Sequence, residues 1–238
     1  MTEQEKVQKP LSIIDGFLII CGIYLLGNGL QAIFYNQLIA LVGFLPGGAT
    51  DINRLLISQI MQTAITIGLI AFFLIKVRKQ QFSDIGLKPF AEWRWLPLAL
   101  AGGVLLYILT TFILGMLTVL FPELAEPQNV SNVIAEAQTT WDIIAVVIAV
   151  AILAPLGEEL LFRGYIYHSL TPHYAPLVSM LFTSLIFGAM HLDFLRFIPL
   201  SIVGLFLNIV AMKSKSLYGS MVMHAAWNMV MVLVLLMA

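Results

Sequence analysis

Charged residues and cysteine are scarce in this sequence. Only 11% of its 238 residues are charged and 60% are hydrophobic, whereas about 25% are charged in a typical soluble domain. This composition excludes an ordinary soluble enzyme and indicates an integral membrane protein. Cys21 is the single cysteine, which excludes an intrachain disulfide and a cysteine metal cage. The net charge of −1, without a basic tract, gives no indication of nucleic-acid binding.

Long hydrophobic runs divide the chain into about seven predicted spans. A helix needs about 20 mostly apolar residues to cross a bilayer. The runs are Leu11–Phe34 (or as far as Leu45), Leu55–Ile75, Trp95–Leu120, Trp141 to about Leu170, Pro176–Met190, Phe197–Met212 and Leu217–Leu236. We therefore predict an all-α fold, a polytopic transmembrane helical bundle that forms one integral membrane domain over residues 1–238.

The distribution of lysine and arginine predicts the orientation of the spans, because cytoplasmic loops carry an excess of both residues. With seven spans, one side of the membrane collects Lys6, Lys9, Lys76, Arg78, Lys79, Lys88, Arg94, Lys213 and Lys215. Only Arg54 and Arg196 fall on the other side. We expect a multi-pass protein of the cell (plasma) membrane with its N-terminus in the cytoplasm.

Two adjacent carboxylates, Glu158 and Glu159, interrupt the apolar fourth span. Charge inside a bilayer is costly, so an intramembrane acid is a candidate functional residue. Glu158 lies about as far before a turn near Tyr174 as His191 lies after it, which places both at nearly one height in a helical hairpin. His224 falls at a similar depth in the seventh span. We predict a membrane-embedded active-site chamber below the cytoplasmic face.

Three pairs of residues are spaced to share a helix face: Glu159 with Arg163, Phe187 with His191, and His224 with Asn228. Residues four apart are neighbours on a helix surface. Pro155 and Gly157 predict a bend that frees a backbone carbonyl and widens a cavity. A single intramembrane histidine or asparagine more often links helices than catalyses, and a Glu–Arg pair has a purely structural explanation. The functional interpretation therefore depends on the convergence of these residues.

Three motifs carry these residues: EELLFR at Glu158–Arg163, FGAMH at Phe187–His191 and HAAWN at His224–Asn228. In this order and spacing they resemble the CAAX-processing and bacteriocin-processing (CPBP, or Abi) family of intramembrane endopeptidases, which includes the type II CAAX prenyl proteases. FSDIGLKPF at Phe82–Phe90 is also similar to the family's segment before its third span. The resemblance covers a catalytic core of about residues 82–238, and residues 11–75 are two additional spans that add only hydrophobicity. The family's eukaryotic members are described with eight spans, so an eighth stays open.

The resemblance implies hydrolysis of peptide bonds in membrane-associated substrates of the lipid-modified (CAAX-type) or bacteriocin type. These substrates would enter from the lipid or the cytoplasm, and membrane lipids are the other expected partners. Glu158 would be the general base that activates water, and His191 would help to hold that water. His224 and Asn228 would bind the oxyanion. Glu159, Arg163 and Phe187 would support the site.

Three alternatives stay open beside a glutamate-type protease. Glu158, His191 and His224 are also a plausible zinc set. The chain has no HExxH pair and asparagine is a rare zinc ligand, so we expect a site without metal or cofactor. A proton-coupled transporter would also use intramembrane acids and histidines, but no inverted repeat is visible. A non-enzymatic immunity or scaffold protein would retain the fold without catalysis.

Overall fold

The protein is helical throughout the part of the chain described by the computed structural model, residues 9–125 and 129–237. The helices are α1 (Ile13–Ile33), α2 (Tyr35–Val42), α3 (Asp51–Val77), α4 (Trp95–Leu120), α5 (Asn129–Ala135), α6 (Thr140–Leu170), α7 (Pro176–Ala189), α8 (Phe197–Ser214) and α9 (Leu217–Met237). These two stretches contain no strand. The all-α prediction is confirmed.

Five of the described helices, α3, α4, α6, α8 and α9, are long and apolar enough to cross a membrane. Two shorter apolar helices, the Ile13–Gly27 part of α1 and α7, stand where the first and fifth spans were predicted. The prediction of about seven spans in a helical bundle is therefore confirmed. The first span does not continue to Leu45 as one helix, because α1 ends at Ile33 and α2 begins at Tyr35, with Phe34 outside both helices. Lys6, which contributed to the predicted orientation, lies outside the described residues.

The longest helix, α6, contacts α1, α3, α7, α8 and α9. Its ends are α-helical, and two π-helical stretches, Val147–Leu153 and Leu160–Ile166, flank the α-helical Ala154–Glu159 that carries both acids. A capping box of Thr139 and Asp142 fixes its first turn. The acids therefore stand in the middle of a helix that is surrounded by the rest of the bundle.

The irregular backbone of α6 attaches it to two neighbouring helices. Ala154 donates its N–H to the Ala149 carbonyl, one residue further back than in an α-helix, and Pro155 has no N–H. The Val150 carbonyl is thus left for an outside donor, and the Asn228 amide of α9 donates to it at 2.7 Å. On the other side, the Thr63 hydroxyl of α3 donates to the Leu153 carbonyl at 3.1 Å. The carbonyl predicted to be freed near Pro155 is therefore present and is satisfied from α9.

A buried ionic cluster attaches α1 to the core. The Asp15 carboxylate of α1 accepts hydrogen bonds from Arg78, just after α3, and from the Tyr165 hydroxyl of α6 at 3.1 Å. Asp15 is 6% exposed and Tyr165 is fully buried. Because a buried carboxylate is costly without such partners, this cluster fixes α1 and α3 against the last turns of α6.

The helices α4 and α9 approach each other closely at Gly103. A Cβ atom added to Gly103 would lie 2.5 Å from the Met223 carbonyl oxygen and 2.7 Å from the Ala226 Cβ. Small residues allow such close backbone contact between membrane helices, where van der Waals packing drives association. The last helix, which carries His224 and Asn228, is therefore positioned partly by the absence of a side chain on α4.

We expect Gly103→Ala to lower the free energy of unfolding by about 1–3 kcal/mol, because the new methyl group forces α4 and α9 apart. Gly115→Ala is the matched control on the same helix, since a Cβ there meets no atom within 4 Å. Thermal unfolding of the purified protein in detergent measures both variants. Equal midpoints for Gly103→Ala and the wild type would contradict the close packing at this crossing.

Candidate active site

Glu159 and Arg163 form an ion pair in the interior of the bundle. Both side chains are fully buried, and the Arg163 Nη1 donates to the Glu159 Oε1 at 2.9 Å. The Arg163 Nη2 donates to the Gly204 carbonyl of α8 at 3.0 Å. Four-residue spacing on α6 brings the two charges together, and the contact with Gly204 links the pair to a second helix.

His224 is oriented by the same carboxylate. Its Nδ1 donates to the Glu159 Oε1 at 2.9 Å, and the residue is 2% exposed. An ionised carboxylate only accepts hydrogen bonds, so the Nδ1 carries a proton. The other ring nitrogen, Nε2, lies 3.8 Å from the Glu158 Oε2. One carboxylate therefore holds an arginine from its own helix and an imidazole from α9, and directs that imidazole towards the second acid.

The Phe187 ring lies at the centre of the cluster. Its centroid is 4.5 Å from the Arg163 guanidinium carbon, 4.9 Å from the His191 ring and 5.9 Å from the His224 ring. Phe187 is fully buried, and Phe162 packs edge-on against it at 5.0 Å. A cation over an aromatic face is attracted by the ring quadrupole. Phe187 thus separates the two histidines and covers the buried arginine.

Glu158 differs from its neighbour in both exposure and partners. Its side chain is 32% exposed, and its Oε2 has no hydrogen-bond partner among the described residues. It lines a cavity of about 180 Å³, together with His191 and residues of α1, α3 and α6. Glu158 thus lies at the cavity wall without a hydrogen bond among the described residues, whereas the Oε1 of Glu159 accepts two hydrogen bonds and only its buried Oε2 accepts none.

His191 lies in the turn that follows α7. Its Nδ1 is 2.8 Å from the Phe187 carbonyl oxygen, so this nitrogen donates and Nε2 is left as an acceptor. The Tyr24 hydroxyl of α1 donates to the neighbouring Met190 carbonyl at 3.0 Å, and Leu192 adopts a left-handed φ of 52°. The early end of the fifth span is thus accommodated by protein contacts around the turn.

Asn228 contacts the backbone of α6 and does not line the cavity. Its amide donates one hydrogen to the Val150 carbonyl at 2.7 Å, and the residue is 6% exposed. A carboxamide nitrogen carries two hydrogens, so a second donor remains on Asn228. His224 is also absent from the cavity wall. The two polar residues of the HAAWN motif are therefore outside the wall of this cavity.

The first two spans contribute a wall of this cavity, which sequence reasoning missed. The wall consists of Ile23, Tyr24, Gln59, Gln62, Thr63 and Thr66. The last four recur at the i, i+3, i+4 and i+7 positions of α3, a spacing that places them on one helix face. This polar stripe in an otherwise apolar span was the signal from which the wall could have been found.

The zinc alternative requires Glu158, His191 and His224 to share one ion. Among the described residues, no group of three His, Cys, Asp or Glu side chains is arranged to hold a metal. In addition, the Nδ1 atoms of both histidines already donate to oxygen atoms. Only the two Nε2 atoms and the Glu158 carboxylate would be left as ligands.

Comparison with known proteins supports the interpretation of these motifs. Residues 140–230 match the family model described as type II CAAX prenyl endopeptidase Rce1-like. This match includes all three motifs, and the resemblance to the CPBP family is confirmed over this segment. It points to a CAAX-type intramembrane protease. The resemblance of Phe82–Phe90 lies outside the matched segment and stays a prediction. No curated protein and no solved structure gives a significant match to the chain.

We expect Arg163→Met to destabilise the protein by about 3–5 kcal/mol, because it leaves the Glu159 carboxylate buried with an uncompensated charge. The control is Arg54→Met, whose half-exposed partner Asp51 is 2.7 Å away, and which should cost only about 0–1 kcal/mol. Thermal unfolding in detergent measures both. A loss for Arg163→Met no larger than for the control would show that the buried pair does not hold the bundle together.

Proposed function

From the similarity of residues 140–230 to the type II CAAX prenyl endopeptidases, we propose that the protein is an intramembrane endopeptidase with a glutamate-activated water. The observation that carries the proposal is the different state of two adjacent acids. Glu159 is fully buried and its Oε1 accepts hydrogen bonds from Arg163 and His224, whereas Glu158 makes no hydrogen bond among the described residues and lines a cavity with His191. In this proposal Glu159 supports the structure of the site and Glu158 acts on the substrate.

Glu158 is the general base of this proposal. A water in the cavity transfers a proton to the Glu158 carboxylate while its oxygen bonds to the carbonyl carbon of the substrate peptide. His191 holds the water by accepting a hydrogen bond at Nε2, which is free because Nδ1 donates to the Phe187 carbonyl. When the C–N bond breaks, the proton passes from Glu158 to the leaving amine nitrogen. General base catalysis of this kind contributes about 10²–10⁴ in rate.

His224 and Asn228 bind the oxyanion in this mechanism, which requires the substrate carbonyl to reach past the cavity wall to the Nε2 of His224, 3.8 Å from the Glu158 Oε2. His224 in its protonated form donates from Nε2, and the Glu159 carboxylate at Nδ1 is its counter-ion. Asn228 donates the hydrogen that is not used on the Val150 carbonyl. Donors that are fixed in place before reaction stabilise the developing charge at little reorganisation cost, and one such donor is worth about 10²–10³ in kcat. Arg163 and Phe187 hold His224 and His191 in place.

The residues of the cavity wall support the substrate class that the family match suggests. A membrane-associated peptide with a lipid-modified or strongly hydrophobic segment keeps that segment in the bilayer and presents a peptide bond to Glu158. Four apolar residues, Ile23, Leu161, Phe162 and Met190, share the cavity wall with the polar groups. We further propose that the N-terminus is cytoplasmic and that substrates enter from the lipid or from that side. The transporter and scaffold alternatives do not require an acid at the cavity wall beside one that is buried and hydrogen-bonded to two partners.

We expect Glu158→Gln to lower kcat by about 10²–10⁴, because the amide cannot take a proton from water. The unfolding midpoint should change little, since Glu158 is partly exposed and its Oε2 has no partner. The measurement is cleavage, by purified protein in detergent, of a fluorogenic peptide that ends in a farnesylated cysteine and three further residues. A second fluorogenic peptide with a plain hydrophobic segment tests the bacteriocin-type class.

Glu92→Gln is the control for Glu158→Gln, because this exposed acid pairs with Arg94 away from the cavity. It should cleave at the wild-type rate. Full cleavage by Glu158→Gln would show that the base is assigned to the wrong residue. If the wild type cleaves neither peptide but moves protons in liposomes, and Glu158→Gln stops that movement, the transporter alternative replaces the protease.

We expect cleavage to survive removal of metal ions. The protein is incubated with 1,10-phenanthroline, dialysed and assayed with the same peptides, and zinc content is measured on the same samples. Activity should stay within about twofold of the untreated enzyme if Glu158 alone activates the water. Loss of cleavage that returns on addition of zinc would assign Glu158, His191 and His224 as zinc ligands instead.

A further inference from the structure

The polar stripe on α3 is a feature that the family match does not include. Gln59, Gln62, Thr63 and Thr66 lie before the matched segment, which begins at residue 140. All four line the cavity with Glu158 and His191. Polar side chains are rare on membrane helices and are kept there when they face a partner or a cavity. The stripe therefore needs an explanation beyond the packing of α3.

The two threonines have structural contacts that account for them. Thr63 is buried, donates to the Leu153 carbonyl of α6 at 3.1 Å and accepts from the Gln59 Nε2 at 3.2 Å. The Thr66 hydroxyl donates to the Gln62 carbonyl oxygen one turn back at 2.8 Å. Both hydroxyl groups are thus satisfied within the protein. The bond from Thr63 to Leu153 also fixes the height of α3 against α6, close to the helix turn that carries Glu158.

Unlike the two threonine hydroxyl groups, the carboxamide groups of the two glutamines are not fully hydrogen-bonded within the described residues. The Gln62 carboxamide is exposed and has no hydrogen-bond partner among the described residues, and Gln59 uses only its Nε2 group. An unsatisfied carboxamide at membrane depth costs free energy unless water or a ligand bonds to it. The cavity wall therefore holds a free donor and two free acceptors on the α3 side, facing the α6 wall that carries Glu158.

We propose that Gln62, assisted by Gln59, binds the backbone of the substrate peptide in the cavity that Glu158 lines. A carboxamide offers one donor and one acceptor side by side, as a peptide group does, so it can satisfy an N–H and a C=O of an extended peptide together. Backbone recognition does not depend on side-chain identity. Sequence preference would then come from the apolar part of the wall.

This inference depends on the proposed function and assigns to the second span, α3, a part in it. The test is a kinetic comparison of Gln62→Leu with the wild type, using the farnesylated fluorogenic peptide. We expect KM to rise about tenfold, as for the loss of one or two hydrogen bonds, with kcat within about twofold. A rise in KM at constant kcat reports binding that is equal in the ground and transition states. Gln37→Leu on α2 removes an exposed carboxamide outside the cavity and should leave both constants unchanged.

A second set of peptides tests the backbone contact directly and does not depend on the folding of any variant. Each peptide carries one N-methylated amide within two residues of the cleaved bond. For one of these peptides, N-methylation should raise the KM of the wild type about as much as Gln62→Leu raises it for the unmethylated peptide. The same methylation should raise the KM of the Gln62→Leu variant little further.

The inference is overturned if Gln62→Leu keeps the wild-type KM, or if every methylation raises KM by the same factor on the wild type and on Gln62→Leu. In either case wild-type cleavage still supports the protease. If the wild type cleaves nothing, the proposed function fails and this inference fails with it. A loss of kcat in Gln62→Leu with unchanged KM would also overturn it, since it would place Gln62 in the support of the catalytic groups and not in binding.

Discussion

A single buried carboxylate organises the core of this bundle. Glu159 is fully inaccessible, and its Oε1 accepts from Arg163 of α6 and His224 of α9, while Arg163 extends the network to the Gly204 carbonyl of α8. Removing such a charge from water is expensive, and only close partners of good geometry compensate for it. The requirement to satisfy Glu159 therefore dictates how α6, α8 and α9 meet. The position of His224 relative to Glu158 is a consequence of that requirement.

The backbone of α6 shows the same dependence on outside partners. Ala154 donates to the Ala149 carbonyl and Pro155 has no N–H, so the Val150 carbonyl accepts from Asn228, and the Leu153 carbonyl accepts from Thr63. Irregular backbone at membrane depth is tolerated where neighbouring side chains satisfy it. Each of these side chains also brings its own helix to the site. The α6 carbonyl groups that accept these side-chain bonds thus join α3 and α9 to the segment that carries the acids.

Much of this arrangement could be predicted from local patterns. The apolar runs marked the long helices to within a few residues, and the four-residue spacing of Glu159 and Arg163 predicted their contact. What could not be predicted depends on which helices are neighbours. The Tyr24 and Gln62 side chains meet the cavity only because α1 and α3 pack against α6, and no spacing within one helix encodes that pairing. The hydrogen bond of Asn228 to Val150 likewise joins residues far apart in the chain.

The adjacency of the two acids in sequence explains how one site holds both a buried, paired carboxylate and a carboxylate at the cavity wall. Successive residues on a helix point about 100° apart, given 3.6 residues per turn. Glu159 therefore faces the interior with Arg163, while Glu158 faces the cavity between α6, α3 and His191. Were the two acids four residues apart, they would share one face and compete for one arginine. Neighbouring positions let the bundle pair one carboxylate with Arg163 and His224 in its interior and leave the other at the cavity wall without a hydrogen bond among the described residues.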